Sequence, residues 1–218
     1  ILPLIGATLI MPLTMLLTKS IDFIGMKRAV EPPSDISPWH YLFTQFRVIV
    51  TYLRVILIPL NQNLDYDYHI VKNLLEFPII ASLVVLSSIL AVAVKIRSQY
   101  RLISFGIFWF FLTLMPESSI IPIKDVIFEH RLYLPMAGFS FFLVSLIYYL
   151  SENKGSRQMV TALLIITVSF AILAYKRNLA WKDEFSLWND TVHKSPQKAR
   201  PHNNRGVAYN KRGDFTRA

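Results

Sequence analysis

Long apolar stretches separated by short polar links dominate the chain up to residue 175. Stretches of about 18 or more mostly apolar residues are long enough to cross a bilayer as helices. The pattern predicts five or six such segments, at residues 1–17, 41–60, 75–94, 102–115, 132–150 and 159–175. We therefore predict an all-α fold that begins as a polytopic helical membrane bundle.

The segment 41–60 differs from the others because polar residues recur along one helical face. These residues are Thr44, Arg47, Thr51 and Arg54. Two placements fit such a helix. It either crosses the membrane with the polar stripe turned into the bundle, or lies along the outer interface with the stripe toward water and headgroups. A basic cluster within residues 19–28 favours crossing, but charge alone leaves both placements open.

Lysine and arginine lie at the ends of the apolar stretches and in the C-terminal tail, which explains a formal net charge of +9 in a chain that is 53% hydrophobic. Because cytoplasmic links carry an excess of these residues, the basic links 95–101 and 151–158 are expected in the cytoplasm. By alternation, loops 61–73 and 116–131 and the tail after residue 175 lie on the opposite face. That face borders a periplasm or an organelle lumen, and no nucleic acid partner is expected.

The C-terminal tail carries a repeat signature. Its residues match the offsets of the tetratricopeptide pattern, a unit of about 34 residues in which two helices pack together. The matching residues are Gly206, Tyr209, Gly213, Phe215 and Ala218. Residues 184–196 are predicted to form a preceding, capping helix. Since one repeat cannot bury its own apolar face, about three or more are expected, and the chain is predicted to be a fragment.

Two motifs together resemble one family. The run ESSIIPIKDVIFEHRLYLP at residues 117–135 is followed by two apolar segments and then by the spacing W-DE--LW-D-V--SP--AR-H-N-G-AY. This order resembles the transmembrane and tetratricopeptide-repeat-containing proteins and their bacterial relatives, over about residues 40–218. The resemblance implies the C-terminal part of a GT-C glycosyltransferase-like membrane domain at residues 1–177. Residues 178–218 then hold the capping helix and a first, incomplete repeat.

The resemblance also implies transfer of a sugar from a polyprenyl phosphate, as in O-mannosylation from dolichyl-phosphate mannose. Its catalytic carboxylate is expected upstream of Ile1, in a first extracytoplasmic loop. Cations or hydrogen-bond donors must hold the departing phosphate, and the planar guanidinium of arginine suits this role. The candidate phosphate-binding and substrate-binding residues are Arg131, Glu129, His130, Arg54, Arg47, Glu117, Asp65 and Asp67.

Each candidate also has a structural interpretation. Arg131 can pair with Glu117 or Asp125 and simply hold its loop closed. Asp65 lies in a short link, where aspartate commonly caps or turns the chain. His130 has no neighbours in sequence typical of a metal ligand or general base, so neither a metal site nor any other cofactor is predicted, and a divalent cation lacks support.

These observations favour part of an integral-membrane glycosyltransferase in a bacterial inner membrane or the membrane of the endoplasmic reticulum. Its expected partners are membrane lipid, a polyprenyl- or dolichyl-phosphate sugar donor, and a polypeptide acceptor held by repeats in the periplasm or lumen. The alternative is a non-catalytic, membrane-anchored repeat scaffold that assembles envelope or lumenal proteins. A transporter has less support, because no matching pair of broken helices is visible.

Overall fold

The computed structural model describes residues 36–118, 122–123, 125–151 and 157–216. Within these ranges the chain is helical and contains no strand, which confirms the all-α prediction. The helices are α1 (Pro38–Leu57), α2 (Phe77–Ile96), α3 (Arg101–Leu114), a 3₁₀ turn (Glu129–Leu132), α4 (Tyr133–Leu150), α5 (Arg157–Ala180), α6 (Glu184–Lys194) and α7 (Ala199–Lys211). The predicted apolar segment 1–17 and the basic cluster within residues 19–28 lie outside the described residues.

Three described helical segments are long and apolar enough to cross a membrane. They are α2, the continuous stretch Glu129–Leu150, and α5, with mean hydropathies of 2.5, 1.6 and 2.0. Helix α3 has 14 residues and therefore a length of about 21 Å, which is shorter than a hydrocarbon core of about 30 Å. Length and apolar composition identify an integral membrane protein, as the hydrophobic pattern predicted.

Helix α1 is not among those three segments, and one of its faces forms the core beneath the loops. Its buried residues recur every three or four positions and include Tyr41, Val48, Tyr52 and Val55. They pack against Phe110 and other apolar side chains from α3 and from the segment before the 3₁₀ turn. The two arginines of α1, Arg47 and Arg54, lie outside this buried stripe. Whether α1 crosses or lies on the membrane stays a prediction.

Helices α3 and α4 approach each other closely at two glycines. A Cβ atom added to Gly106 would lie 2.5 Å from the carbonyl oxygen of Gly138, and one added to Gly138 would lie 2.6 Å from that of Gly106. The absence of both side chains lets the two backbones meet, as small residues do at membrane helix interfaces. Trp109 Nε1 also donates to the carbonyl oxygen of Leu134 at 3.0 Å. This hydrogen bond joins α3 to the first turn of α4, directly after the 3₁₀ turn.

Helices α6 and α7 form a hairpin after α5. Asp183 caps the start of α6 by accepting a hydrogen bond from the backbone N–H of Ser186 at 2.9 Å. The rings of Phe185 and Tyr209 meet edge to face, with centroids 4.8 Å apart. Gly213 ends the hairpin at a φ of 78°, where the missing side chain avoids strain. The repeat assignment itself stays a prediction, and Ala218 lies outside the described residues.

Candidate functional site

Two loops and the α6–α7 hairpin meet at one end of the bundle. Ser195, which is buried, follows the last residue of α6 and inserts its hydroxyl into loop 61–76. This hydroxyl donates to the carbonyl oxygen of Asp65 at 2.7 Å and accepts from Asn63 Nδ2 at 2.8 Å and from the backbone N–H of Asp67 at 3.0 Å. The tail is thus hydrogen-bonded to a loop about 130 positions earlier in the sequence.

Four charged side chains extend this contact to the second loop; we call Asp65, Asp125, Lys198 and Arg200 the interloop clamp. Asp65, only 2% exposed, binds Lys198 through Oδ1 and Arg200 Nε through Oδ2 at 2.5 Å. Arg200 also grips Asp125 through both terminal nitrogens, at 2.9 and 3.0 Å. Burial alone would raise the pKa of Asp65, but the hydrogen bonds and charges of Arg200 and Lys198 hold that pKa below its usual range.

Arg131, the leading phosphate-binding candidate, is buried and already engaged. Its Nε lies 2.8 Å from Glu117 Oε2, and its terminal nitrogens donate to the carbonyl oxygens of Asp125 at 3.0 Å and Val126 at 3.3 Å. The guanidinium also lies over the ring of Phe128, 5.6 Å from the centroid. These contacts close the loop before α4. They are contacts of the kind that the structural interpretation of this arginine describes, and they engage all three nitrogen atoms of its guanidinium.

Glu129 lies at the boundary between the two loops. Its Oε1 accepts hydrogen bonds from the hydroxyl of Tyr66 at 2.6 Å and from the backbone N–H of Asn63 at 2.7 Å. Burial, followed by the hydrogen bond and charge of Glu129, raises the pKa of Tyr66 well above its ordinary value, so this phenol stays a donor. Glu129 therefore has one oxygen held by the protein.

A groove of about 560 Å³ opens beside Glu129. Its walls are mostly apolar and come from the end of α1, the start of α4 and the C-terminal half of α5. Its polar lining includes Glu129, His130, Asn63 and Arg177. Arg177 is itself paired with Asp190 of α6 at 2.6 Å. The groove thus combines an apolar interior with polar groups at the junction between membrane helices and loops, which suits a ligand with a lipid tail and a polar head.

The structure places the remaining candidates around this centre. Arg54 is exposed and makes no ion pair with any described residue, whereas Arg47 lies over the ring of Tyr68, 5.3 Å from the centroid. Asp67 and His130 have exposed side chains. No three carboxylate or imidazole groups converge as a metal site would require within the described part of the chain. Of the three arginines predicted to bind phosphate, Arg54 is the one whose guanidinium is both exposed and uncommitted to an acid there.

Sequence reasoning missed the partners that the tail supplies. Ser195 and Arg200 belong to the motif that carries the family resemblance, and Lys198 lies between them, but the sequence analysis predicted no contact for any of the three. The available signal was charge complementarity between this basic pair and the acidic loops, together with their predicted location on one membrane face. It did not indicate which acid would meet which base.

The chain is similar to two curated protein O-mannosyl-transferases. It is 32% identical over 115 residues to Tmtc3 of Drosophila melanogaster, covering 50% of this chain and 12% of that protein. It is 24% identical over 181 residues to F38B6.6 of Caenorhabditis elegans, covering 78% of this chain and 26% of that protein. No family profile and no solved structure matches the chain. The chain thus spans about a quarter or less of these relatives' length, and the two matches confirm the predicted family resemblance.

Proposed function

We propose, on the premise of this resemblance to protein O-mannosyl-transferases, that the chain is part of an integral-membrane glycosyltransferase. The enzyme moves a hexose such as mannose from a polyprenyl or dolichyl phosphate to a hydroxyl group of a polypeptide. The reaction takes place on the extracytoplasmic face, where the loops and the hairpin lie. The segment supplies the donor-side half of the site, and the catalytic carboxylate belongs to a loop upstream of Ile1.

The groove carries this proposal. Its apolar walls offer burial to the first isoprenoid units of a donor, and its polar end offers groups for the phosphate and sugar. A water-soluble sugar nucleotide gains nothing from such walls. A lipid-linked donor reaches the groove from the membrane, because the lining helices α4 and α5 are among those long enough to span it.

The chemistry assigns separate roles to the polar groups. The acceptor oxygen attacks the anomeric carbon, the bond from that carbon to the phosphate oxygen breaks, and the hydroxyl proton passes to the catalytic carboxylate. Arg54 does not line the groove itself, but it precedes Val55 of the groove wall and its charge acts on Tyr66, the partner of Glu129; we assign to it the role of attracting and holding the departing polyprenyl phosphate. Glu129 Oε2, which accepts no hydrogen bond from any described residue, accepts one from a sugar hydroxyl, while Tyr66 and Asn63 fix the orientation of the carboxylate.

The test uses the full-length protein in proteoliposomes with radiolabelled polyprenyl-phosphate mannose and a serine- and threonine-rich polypeptide. We expect transfer by the wild type, a rise of about 10-fold in the donor KM for Arg54→Gln, and a fall of about 10-fold or more in kcat/KM for Glu129→Gln. Arg97→Gln is the matched control. Arg97 is exposed and lies just past the end of α2, on the opposite side of the bundle from the loops.

Equal turnover by all three variants contradicts the assigned roles of Arg54 and Glu129. No transfer by the wild type, with the repeats still retaining a polypeptide, contradicts the enzyme proposal and favours the membrane-anchored scaffold. A folded wild type that transfers sugar from a nucleotide donor contradicts the lipid-linked donor.

A further inference from the structure

The interloop clamp joins three separate parts of the chain. Asp65 belongs to the first loop, Asp125 to the second, and Lys198 and Arg200 to the start of α7. Arg200 contacts both carboxylates, and Lys198 lies 3.8 Å from Asp125 in addition to its contact with Asp65. The four formal charges sum to zero. Within the clamp, the loops contribute only acids and the hairpin contributes only bases.

The burial of Asp65 makes the loops dependent on the hairpin. Its side chain is 2% exposed, against 17% for Asp125, 31% for Lys198 and 40% for Arg200. The cations bound to the Asp65 carboxylate both come from the hairpin. With the hairpin docked, removal of either cation would leave a buried carboxylate with less compensating charge, which is unfavourable. Asp65 is thus a specific attachment point for the hairpin on the first loop.

The clamp adds to the contacts that hold the hairpin against the membrane helices and loops. The chain connects α5 to α6 through a short link at residues 181–183, in which Trp181 and Lys182 donate backbone hydrogen bonds to the end of α5 and Asp183 caps α6. Arg177 of α5 binds Asp190 of α6 at 2.6 Å, and Lys194 of α6 donates to the carbonyl oxygen of Gln62 at 2.8 Å. Together with the clamp, these contacts hold the hairpin at several separate places. Contacts at several places fix the angle of the hairpin as well as its position.

The restrained hairpin lies directly beside the groove. Asn63 lines the groove, donates through Nδ2 to Ser195 at the end of α6, and donates through its backbone N–H to Glu129. The same Ser195 hydroxyl contacts the backbone of Asp65, a member of the clamp. A continuous set of hydrogen bonds thus connects the clamp to the polar end of the groove.

We propose that the interloop clamp orients the first repeat so that a polypeptide held by the following repeats is directed into the groove. Its residues are positioning residues and do not touch the reacting atoms. The proposal rests on the proposed glycosyltransferase function. It predicts that the clamp matters for acceptors long enough to occupy the repeats and not for short ones, because only the former depend on the angle of the array.

The experiment compares Arg200→Gln with Arg212→Gln in the full-length protein in proteoliposomes. Arg212 pairs with Asp183 at 2.7 Å within the hairpin, so its substitution removes an arginine–aspartate pair without touching the loops. For Arg200→Gln we expect the KM for a long polypeptide to rise about 10-fold or more, with kcat and all constants for a short serine peptide within about twofold of wild type. Arg212→Gln is expected to match the wild type for both acceptors.

A second measurement reports hairpin position without activity. The described segment contains no cysteine, so Leu60→Cys and His193→Cys, placed in a cysteine-free full-length background, allow crosslinking by a bifunctional thiol reagent. Both positions are exposed, and neither side chain takes part in the contacts that hold the hairpin. We expect the crosslinked fraction to fall severalfold with Arg200→Gln and to be unchanged with Arg212→Gln. If Arg200→Gln is not recovered folded, Asp65→Asn with Arg200→Gln replaces it, because this double variant leaves no charged carboxylate at position 65.

Equal losses for long and short acceptors, or an unchanged crosslinked fraction, would overturn the positioning role. Failure of the wild type to transfer sugar contradicts the proposed function instead. In that case the crosslinked fraction decides the clamp by itself: a loss on Arg200→Gln supports it, and no change overturns it.

Discussion

Replacing Arg131 by methionine separates the two interpretations of the residue that sequence analysis ranked first. Methionine keeps a flexible, apolar side chain beneath Phe128 but removes the guanidinium. Three acceptors then lose a contact with the guanidinium, namely the carboxylate of Glu117 and the carbonyl oxygens of Asp125 and Val126. The carbonyl oxygen of Val126 keeps its hydrogen bond from Gln45 Nε2 at 3.0 Å. If the residue is a structural lock, the variant loses stability. If it is a phosphate ligand, the variant loses turnover.

The structure sets the size of the stability loss. Each hydrogen bond to a carbonyl oxygen contributes about 1 kcal/mol net, which gives about 2 kcal/mol for the two. The ion pair with Glu117 adds about 0–1 kcal/mol and not the larger value of a fully buried pair, because the Glu117 side chain is 46% exposed and solvent screens it. We therefore expect Arg131→Met to lower the free energy of unfolding by about 2–3 kcal/mol.

The assay is reversible unfolding of the full-length protein in mild detergent by titration with sodium dodecyl sulfate, followed by circular dichroism. Glu117→Gln serves as the control and is expected to cost about 1 kcal/mol or less, since it keeps the carbonyl contacts of Arg131. Turnover per folded molecule of Arg131→Met should stay near that of the wild type. Wild-type stability combined with lost turnover would refute this reasoning and return Arg131 to the phosphate site.

Two further predictions concern the clamp and the helix pair. The pKa of Asp65 is held below its ordinary value of 3.8, so its pairing with the hairpin stabilises docking above pH 3.8 and is lost as pH falls through the lower, folded-state pKa. The distance between spin labels at exposed Leu60 and His193 should therefore be constant from pH 8 to about pH 4 and lengthen only below about pH 3.8. Gly138→Ala should lower the free energy of unfolding by about 1–3 kcal/mol in the detergent titration, because its Cβ meets the carbonyl oxygen of Gly106.

Each of these has a matched control. Asp65→Asn should remove the part of the acid-dependent step that belongs to this carboxylate. Against the effect of burial, the hydrogen bonds and charges of Lys194 and Arg177 also hold the pKa of Asp190 below its ordinary value, so a smaller step from Asp190 should persist. A step of unchanged size in Asp65→Asn would assign the transition to groups other than Asp65. Ser140→Ala, at an exposed position of α4, should change the free energy of unfolding by no more than about 0.5 kcal/mol. An equally small effect for Gly138→Ala would show that α3 and α4 are less closely packed than described.

Hydrophobic patterning anticipated much of the helical architecture, and the candidate residues only in part. The predicted segments 75–94 and 132–150 coincide within two residues with α2 and α4. Each such segment is recognised from its own residues, since a helix satisfies its backbone polar groups internally and needs only an apolar surface to enter lipid. The candidate site was harder to predict than the helices. Asp65 and Arg131 each had two chemically sound roles, and the spacing of residues in the sequence does not choose between them.

The sequence by itself determined that this is an all-helical membrane protein, and its motifs determined the family it resembles, because hydropathy and local residue order are properties of contiguous segments. The tertiary structure decided which charges meet. Asp65 is separated from Lys198 by 133 positions, and Arg200 from Asp125 by 75. Ion pairs over such separations depend on how the loops and the hairpin are brought to one end of the bundle, and burial then decides which carboxylate requires a partner.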